Sequence, residues 1–94
     1  MRKYETLFVL KPDLEKEVVE ELIGKVKTII EADGTVENVN EWGKRKLAYE
    51  IQKVSEGHYT LINFNSEPEL PKELDRVFRI TDSVIRHIII NPEK

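Results

Sequence analysis

The period of the hydrophobic residues changes along this chain, and this change limits its fold more than any other feature. Residues 3–10 alternate with a period of two, which predicts a β-strand that ends at Lys11-Pro12-Asp13. The next segment has the spacing of an amphipathic helix, in which Asp13 is expected to be the N-terminal cap and Gly34 to end the helix in the left-handed conformation. The apolar residues with this spacing are Leu14, Val18, Leu22, Val26, Ile29 and Ile30.

Two strands are predicted after this helix. Residues 35–51 are strand-like at both ends, and Gly43 with the basic residues after it predicts a bend or bulge between them. The sequence Ser55-Glu56-Gly57 predicts a turn, and residues 58–64 return as the other strand of a hairpin. The strand-like residues before the turn are Val36, Val39, Leu47, Tyr49 and Ile51.

A second helix and a final strand complete the pattern. The helix begins near Pro71, where the missing amide proton of proline costs little, and Asp82-Ser83 separates it from a strand over residues 84–90. The order β-α-β-β-α-β predicts an α+β, ferredoxin-like fold, in which a four-stranded antiparallel sheet carries both helices on one face. A chain of 94 residues has room for one such domain, which we assign to residues 1–94.

The composition excludes several classes of protein. The absence of cysteine excludes disulfides, thiolate metal sites and a cysteine nucleophile, and it suits a reducing compartment such as the cytoplasm. The longest uninterrupted apolar run, residues 7–10, is far too short to span a membrane. Residues 1–3 do not lead into the apolar core of a signal peptide. We therefore expect a cytoplasmic protein that has no membrane partner.

The densest basic segment is residues 42–49, in which Lys44, Arg45 and Lys46 stand between Trp42 and Tyr49. Cations neutralise RNA phosphates and aromatic rings stack on unpaired bases, so this pattern indicates RNA contact. The same residues also suit a solvated hairpin flank whose charges keep an edge strand from aggregating, and the spacing alone does not decide between the two. The net charge of −3 argues only weakly against RNA, because charge is unevenly distributed along the chain.

Three further cations are candidates for RNA contact. Arg2 and Lys3 begin the first strand, which this topology places at the centre of the sheet, and we expect them to share one basic surface with the carboxyl end of the hairpin. Arg86 and His87 are neighbours on the last strand, where alternation turns one residue outward and the other inward. We expect Arg86 to be exposed, and His87 to be a partly buried strand residue with no metal-binding role.

The face of the sheet opposite the helices, which we call the open face, is predicted to carry an apolar patch. Alternation on the first and third strands directs one set of residues toward the helices and another toward the open face. Because monomers seldom expose a contiguous apolar patch, we expect a protein partner to bind the residues that face away from the helices. The first set is Tyr4, Thr6, Phe8, Thr60, Ile62 and Phe64. The second set is Leu7, Val9, Tyr59 and Leu61.

No catalytic pattern is present in the sequence. The four glycines are isolated rather than grouped in a phosphate-binding loop, and no Ser-His-carboxylate or metal motif occurs at recognised spacing. We therefore expect no enzyme activity, cofactor, metal or small-molecule substrate. Residues 57–64 match the third strand of RNA-recognition-motif domains poorly, so base stacking on the centre of the sheet is not expected. The alternative is a small-molecule-sensing or acylphosphatase-like domain of the same topology, although Lys11-Pro12-Asp13 is too short for the acylphosphatase phosphate loop.

Four segments of the chain together resemble bacterial small-ribosomal-subunit protein six. They are residues 1–5 (MRKYE), 42–49 (WGKRKLAY), 57–59 (GHY) and 84–86 (VIR). Their order and spacing match over essentially the whole chain, and the run at 42–49 is the most specific part. Glu50 stands where the family often has proline, and the residues after Asn91 form a shorter tail than in many members.

The resemblance implies a ferredoxin-like fold and a structural, non-enzymatic role in the ribosome. Members of this family bind the central domain of the small-subunit ribosomal RNA together with small-subunit ribosomal protein eighteen. For this chain, the resemblance implies RNA contacts at Arg2, Lys3, Lys44, Arg45, Lys46 and Arg86.

Overall fold

A computed structural model describes residues 1–51 and 54–92, and within these it describes the side chains of residues 1–47 and 55–92. The sheet has the strand order β2-β3-β1-β4, and every neighbouring pair is antiparallel. The predicted ferredoxin-like β-α-β-β-α-β fold is therefore confirmed. The elements are β1 (Arg2–Leu10), α1 (Lys16–Asp33), β2 (Gly34–Ile51), β3 (Val54–Ser66), α2 (Glu69–Ile80) and β4 (Val84–Ile90).

The core lies between the two helices and one face of the sheet. The side chains expected to face the helices on β1 and β3 are all buried there, as alternation predicted. Phe8 of β1 packs against Phe78 of α2, with ring centroids 5.0 Å apart, and Tyr4 stacks on Phe64 across the two central strands. Aromatic pairs of this kind contribute about 0.5–1.5 kcal/mol beyond the apolar area that they bury.

The first helix differs from its prediction at both ends. It begins at Lys16 after Glu15, while Asp13 lies in a turn, so the predicted cap at Asp13 is wrong. Gly34 has φ −166° and ψ −161°, which is extended backbone rather than the predicted left-handed conformation. The glycine has a different purpose, since a Cβ there would collide with the backbone carbonyl oxygen of Asn65. The chain thus passes from α1 directly into β2 through a close contact with β3.

The buried face of α1 is also rotated from the predicted one. Val18 is 36% exposed, whereas the neighbouring Val19 is buried. Leu22 and Ile29 pack at the margin of the core rather than inside it. Because the helix starts later and the sheet sets its orientation, a different stripe of the same periodic pattern contacts the sheet. The buried residues of α1 are Val19, Ile23, Val26 and Ile30.

The β2-β3 hairpin is longer than predicted. Residues 55–57 belong to β3, and Glu56 and Gly57 pair with β2, so the predicted turn at Ser55-Glu56-Gly57 is wrong. Residues 52 and 53, which connect the two strands, lie outside the described residues. The predicted strand residues Tyr49 and Ile51 lie in β2, and their side chains are outside the described part of the chain. The predicted bulge at Gly43 is confirmed, because the register shifts there and Gly43 has φ 78°.

The last two elements match their predictions closely. Helix α2 begins at Glu69, two residues before Pro71, and β4 spans the predicted residues 84–90. Pro71 is still within the first turn, where backbone N–H groups have no partner inside the helix, so the missing N–H of proline costs no hydrogen bond. In the part of the chain that is described, neither helix combines the length and the apolarity that crossing a membrane requires.

Candidate nucleic-acid and protein interface

The open face of the sheet brings the predicted apolar residues together. Leu7 lies directly opposite Leu61, and Val9 lies directly opposite Tyr59, on the two central strands. Side chains that are opposite each other in an antiparallel pair share a face and lie in contact range. Val9 is only 2% exposed, however, so it forms the floor of the patch rather than its surface. Gly57 allows this burial, since its missing side chain leaves the space that Val9 Cγ1 occupies.

The structure adds residues of β4 that the sequence interpretation did not assign to the patch. Ile88 lies opposite Leu7 on the other side of β1, and it is 45% exposed. Ile90 is 46% exposed on the same face. The sequence contains a signal for this, because alternation along β4 places Ile88 and Ile90 on the same face as Arg86. A depression of about 220 Å³ crosses this part of the sheet. Its lining consists of Leu7, Val9, Tyr59, Arg86, His87 and Ile88.

Trp42 also joins the open face, because of the bulge beside it. Glu41 is paired with Thr60 and Gly43 with Tyr59, so Trp42 is the extra residue of β2 between two pairs. Its indole stacks on the Tyr59 ring with centroids 5.9 Å apart and an angle of 10° between the planes. Trp42 remains 37% exposed. The tryptophan therefore braces the bulge and still presents aromatic surface to solvent.

The basic residues of β2 lie on a projecting two-stranded arm. Strand β1 ends at Leu10, which pairs with His58, so the hairpin continues past the last residue of β1 from the pair of Arg45 and Gly57 onward. Lys44 lies at the base of this arm, level with Leu10, while Arg45 and Lys46 lie farther along it, and all three are exposed. We call these three residues the basic triplet. In the described part of the chain, carboxylates of α2 pair with Arg76, Arg79 and His87 rather than with the triplet.

The triplet presents cations on both sides of the arm. Arg45 lies opposite Gly57, which shares the open face with Tyr59, so Arg45 is on the open face as well. Lys44 and Lys46 alternate with it and lie on the other side. The Arg45 guanidinium donates a hydrogen bond from Nη1 to the carbonyl oxygen of Lys44, at 3.2 Å. This bond is local and uses only one N–H donor of the exposed guanidinium.

The structure separates two of the predicted RNA-contact residues from the triplet. Lys3 is paired with Asn65 and Arg45 with Gly57, so the two cations are about 26 Å apart along β3 at 3.3 Å per residue. Arg2, paired with Ser66, lies farther still. Arg2 and Lys3 therefore lie beside the carboxyl end of the hairpin, where we expected them, and this end is remote from the basic triplet. Strand direction explains this, because the start of β1 pairs with the end of β3, whereas the triplet pairs with its beginning.

Arg86 does lie at the same end of the sheet as the triplet. It is exposed, as predicted, and it is paired with Val9, which is paired with Tyr59. Tyr59 is in turn paired with Gly43, so one row of the sheet leads from Arg86 to the base of the arm. Three strand spacings make this row about 14 Å wide. The open face thus has an apolar centre, with Arg86 near the start of β4 on one side and Arg45 of the arm on the other.

His87 is partly buried, as predicted. It faces the helices, its side chain is 18% exposed, and its ring packs against Phe78 with centroids 5.1 Å apart. Its Nε2 lies 2.7 Å from Asp75 Oδ1. Among the described residues, no group of three or more metal-binding side chains is present. A depression of about 450 Å³ beside this pair, between α2 and β4, includes Lys72 and Asn91 in its lining.

Comparisons with known proteins identify similar chains. The model of a family described as Ribosomal protein S6 matches residues 3–91. A small ribosomal subunit protein bS6 from Clostridium beijerinckii is 66% identical over 94 residues, which cover 99% of each chain. One from Clostridium perfringens is 66% identical over 95 residues and covers 100% of each chain. The crystal structure of 30S ribosomal protein S6 from Thermotoga maritima is 38% identical, with a TM-score of 0.90 over 95% of this chain and 85% of that one.

Proposed function

Since this chain belongs to the ribosomal protein S6 family of the small ribosomal subunit, we propose that it acts as a structural, RNA-binding component of that subunit in the cytoplasm. Its RNA ligand is the central domain of the small-subunit ribosomal RNA, and its protein partner is small-subunit ribosomal protein eighteen. The S6 family is a family of ribosomal proteins and not of enzymes. The proposal accordingly assigns the chain no catalytic residue, cofactor or small-molecule substrate.

The exposed basic triplet on the projecting arm is the observation that supports RNA binding most directly. Arg45 and Lys46 extend past the end of β1 and Lys44 lies level with its last residue, so a groove of folded RNA has room to receive all three. A cationic side chain that contacts RNA phosphates releases counterions condensed on the RNA. This release favours binding and does not depend on the base sequence. Recognition then depends on the shape of the RNA backbone, as is common for folded RNA.

The other predicted RNA-contact residues lie in two different regions. They are Arg86 on one hand, and Arg2 and Lys3 on the other. Arg86 lies in the same row of the sheet as the base of the arm, so it extends the surface that begins at the triplet. Arg2 and Lys3 lie at the far end of β1 and would contact a separate part of the RNA. Removing the far pair should therefore affect affinity independently of the triplet.

The apolar centre of the open face supports the protein partner. Leu7, Leu61 and Ile88 form one row across three adjacent strands, and Tyr59 lies in the next row. An apolar patch of this kind, next to an arm that binds RNA, suits a partner that covers the sheet while both proteins contact RNA. The chain itself has a net charge of −3, so a basic partner would supply much of the attraction to RNA.

The experiment that tests the proposal is a salt-titrated binding assay with a central-domain fragment of the small-subunit ribosomal RNA, with and without protein eighteen. Replacement of Lys44, Arg45 and Lys46 by Ala should weaken binding and should flatten the dependence of log K on log salt by about 2–3, since each neutralised phosphate contributes about 0.7–0.9 to the slope.

A matched control removes the same charge from α1. Lys16, Lys25 and Lys27 lie on the helix layer, away from the open face, and their replacement by Ala should leave most of the salt slope intact. Equal effects of the two triple variants would mean that only net charge matters. An unchanged affinity and slope in the arm variant would remove the RNA assignment, and binding of a metabolite in place of RNA would support the small-molecule-sensing or acylphosphatase-like alternative.

A further inference from the structure

Strand β2 is an edge strand, and its side chains on the open face include two amides, an aromatic ring and a cation. Asn38 is paired with Asn63 and Asn40 with Leu61, which places both amides on the open face. Trp42 follows at the bulge, and Arg45 follows on the arm. All four residues are exposed. The strand thus presents two amides, an indole and a guanidinium in a line, which we call the β2 strip.

Trp42 gives the β2 strip a fixed aromatic surface. One side of the indole is covered by Tyr59, at 5.9 Å and nearly parallel, and the residue is still 37% exposed. The positive φ of Gly43 and the register shift beside it hold the indole at this position. An aromatic ring supported on one side and open on the other can accept a planar base at a small further cost in side-chain entropy.

The neighbours of Trp42 fit the remaining parts of a nucleotide. The amides of Asn38 and Asn40 carry both donors and acceptors, which suits the edges of unpaired bases. The Arg45 guanidinium suits phosphate oxygens. Glu41, the acid nearest to Trp42 along the strand, is paired with Thr60 and therefore belongs to the other face of the sheet. Its carboxylate does not oppose an RNA strand along the β2 strip.

We propose that the β2 strip binds an unpaired segment of RNA, with one base stacked on the outer face of Trp42 and the adjoining phosphate held by Arg45. This inference rests on the proposed RNA-binding function and deepens it by naming the form of RNA and the residues that contact it. In a double helix each base face is covered by the neighbouring base pairs, so only an unpaired base can stack on the indole of Trp42. The apolar residues of β1, β3 and β4 remain available for a protein.

The chain offers a direct test, because Trp42 is its only tryptophan and all tryptophan emission therefore reports on this position. The full chain is titrated at low ionic strength with a short oligo-uridine strand, with a duplex of the same number of phosphates, and with the central-domain RNA fragment. Quenching by the single strand and by the fragment, but not by the duplex, is the expected result.

Variants separate stacking from packing. Trp42→Leu should lower the affinity for the single strand by about 5- to 100-fold, in line with the loss of one stacked base, whereas Trp42→Phe should retain most of it. A Trp42→Leu variant that melts at a much lower temperature would be uninformative alone, but Trp42→Phe and the emission of the unmodified chain still test the stack. Equal quenching by duplex and single strand would overturn the inference.

The two proposals can fail separately in the same assay. If the triple Ala variant of the basic triplet loses affinity while Trp42→Leu does not, the β2 strip is wrong and the RNA-binding function remains. If neither variant changes affinity, both proposals fall. If the Trp42 emission changes only when protein eighteen is added and never with RNA, the strip is covered by protein and the inference is overturned.

Discussion

The imidazole Nε2 of His87 lies 2.7 Å from the carboxylate oxygen Oδ1 of Asp75, and this contact joins β4 to α2. The other carboxylate oxygen of Asp75 lies 2.9 Å from Nε of Arg79, one turn farther along the helix. Strand β4 is an edge strand that pairs with β1, and the contact with Asp75 ties it to the helix layer as well. The histidine supplies both a polar contact and a ring contact at this point.

Replacing His87 with Ala should therefore destabilise the fold. The change removes the contact with Asp75 and the packing on Phe78, and we expect the free energy of unfolding to fall by about 1–3 kcal/mol, measured by urea denaturation. Combination with Asp75→Asn should reveal a coupling of about 0.5–1.5 kcal/mol. Strict additivity of the two single losses would show that the contact itself contributes nothing. Arg79→Ala serves as the control that removes only the exposed pair.

Gly57 should not tolerate a side chain. A Cβ at this position would collide with Val9 Cγ1 and would lie 3.1 Å from the carbonyl oxygen of Leu10. Gly57→Ala should lower the free energy of unfolding by about 1–3 kcal/mol because the strands must separate to admit the methyl group. Thermal or urea denaturation measures this loss.

Gly24 provides the opposite case in the same chain. It lies within α1, and a Cβ there would meet no atom within 4 Å. Gly24→Ala should raise stability by about 0.5–1 kcal/mol, since alanine restricts the unfolded chain and favours the helix. If both alanine variants shifted stability in the same direction, the close contact of Gly57 with β1 would be in doubt.

The rotation of α1 can be checked with two apolar residues of that helix. Ile23 is 6% exposed and Val18 is 36% exposed. Ile23→Ala should cost about 2–5 kcal/mol, because it leaves a cavity against the sheet. Val18→Ala should change stability by no more than about 0.5 kcal/mol, as for most surface positions. A larger loss at Val18 than at Ile23, measured by urea denaturation, would mean that the helix has the orientation that its periodicity alone suggested.

The apolar centre of the open face gives a prediction about the protein partner. Leu61→Lys should weaken binding of small-subunit ribosomal protein eighteen by about 30-fold or more, because it introduces a charge in the middle of the buried contact. Titration calorimetry with the purified partner measures the change, and thermal denaturation checks that the fold is intact.

Ile80 is the matched control for this prediction. It is a strongly exposed apolar residue at the end of α2, in the layer behind the sheet. Ile80→Lys should leave the affinity for the partner unchanged. Survival of partner binding in Leu61→Lys, or an equal loss in Ile80→Lys, would place the interface elsewhere on the molecule.

Local signals in the sequence were sufficient for the order and type of the elements. The alternation before Leu10, the helical spacing before Gly34 and the bulge at Gly43 each depend on neighbouring residues and on backbone preferences, so one segment at a time reveals them. The same logic placed β4 and showed that Arg86 and His87 face opposite sides. Element ends were less accurate, as at Asp13 and Ser55, because packing and strand pairing decide where a helix begins and a hairpin turns.

By itself the sequence determined the fold class, the facing of the central strands and the identity of the basic triplet. Only the tertiary structure decided which residues meet. It joined Trp42 to Tyr59 and Asp75 to His87, and it separated Lys3 from Arg45 by about 26 Å along β3. The physical reason is that the register between strands far apart in sequence is set by the packing of the whole sheet against its helices, and no local pattern contains that information.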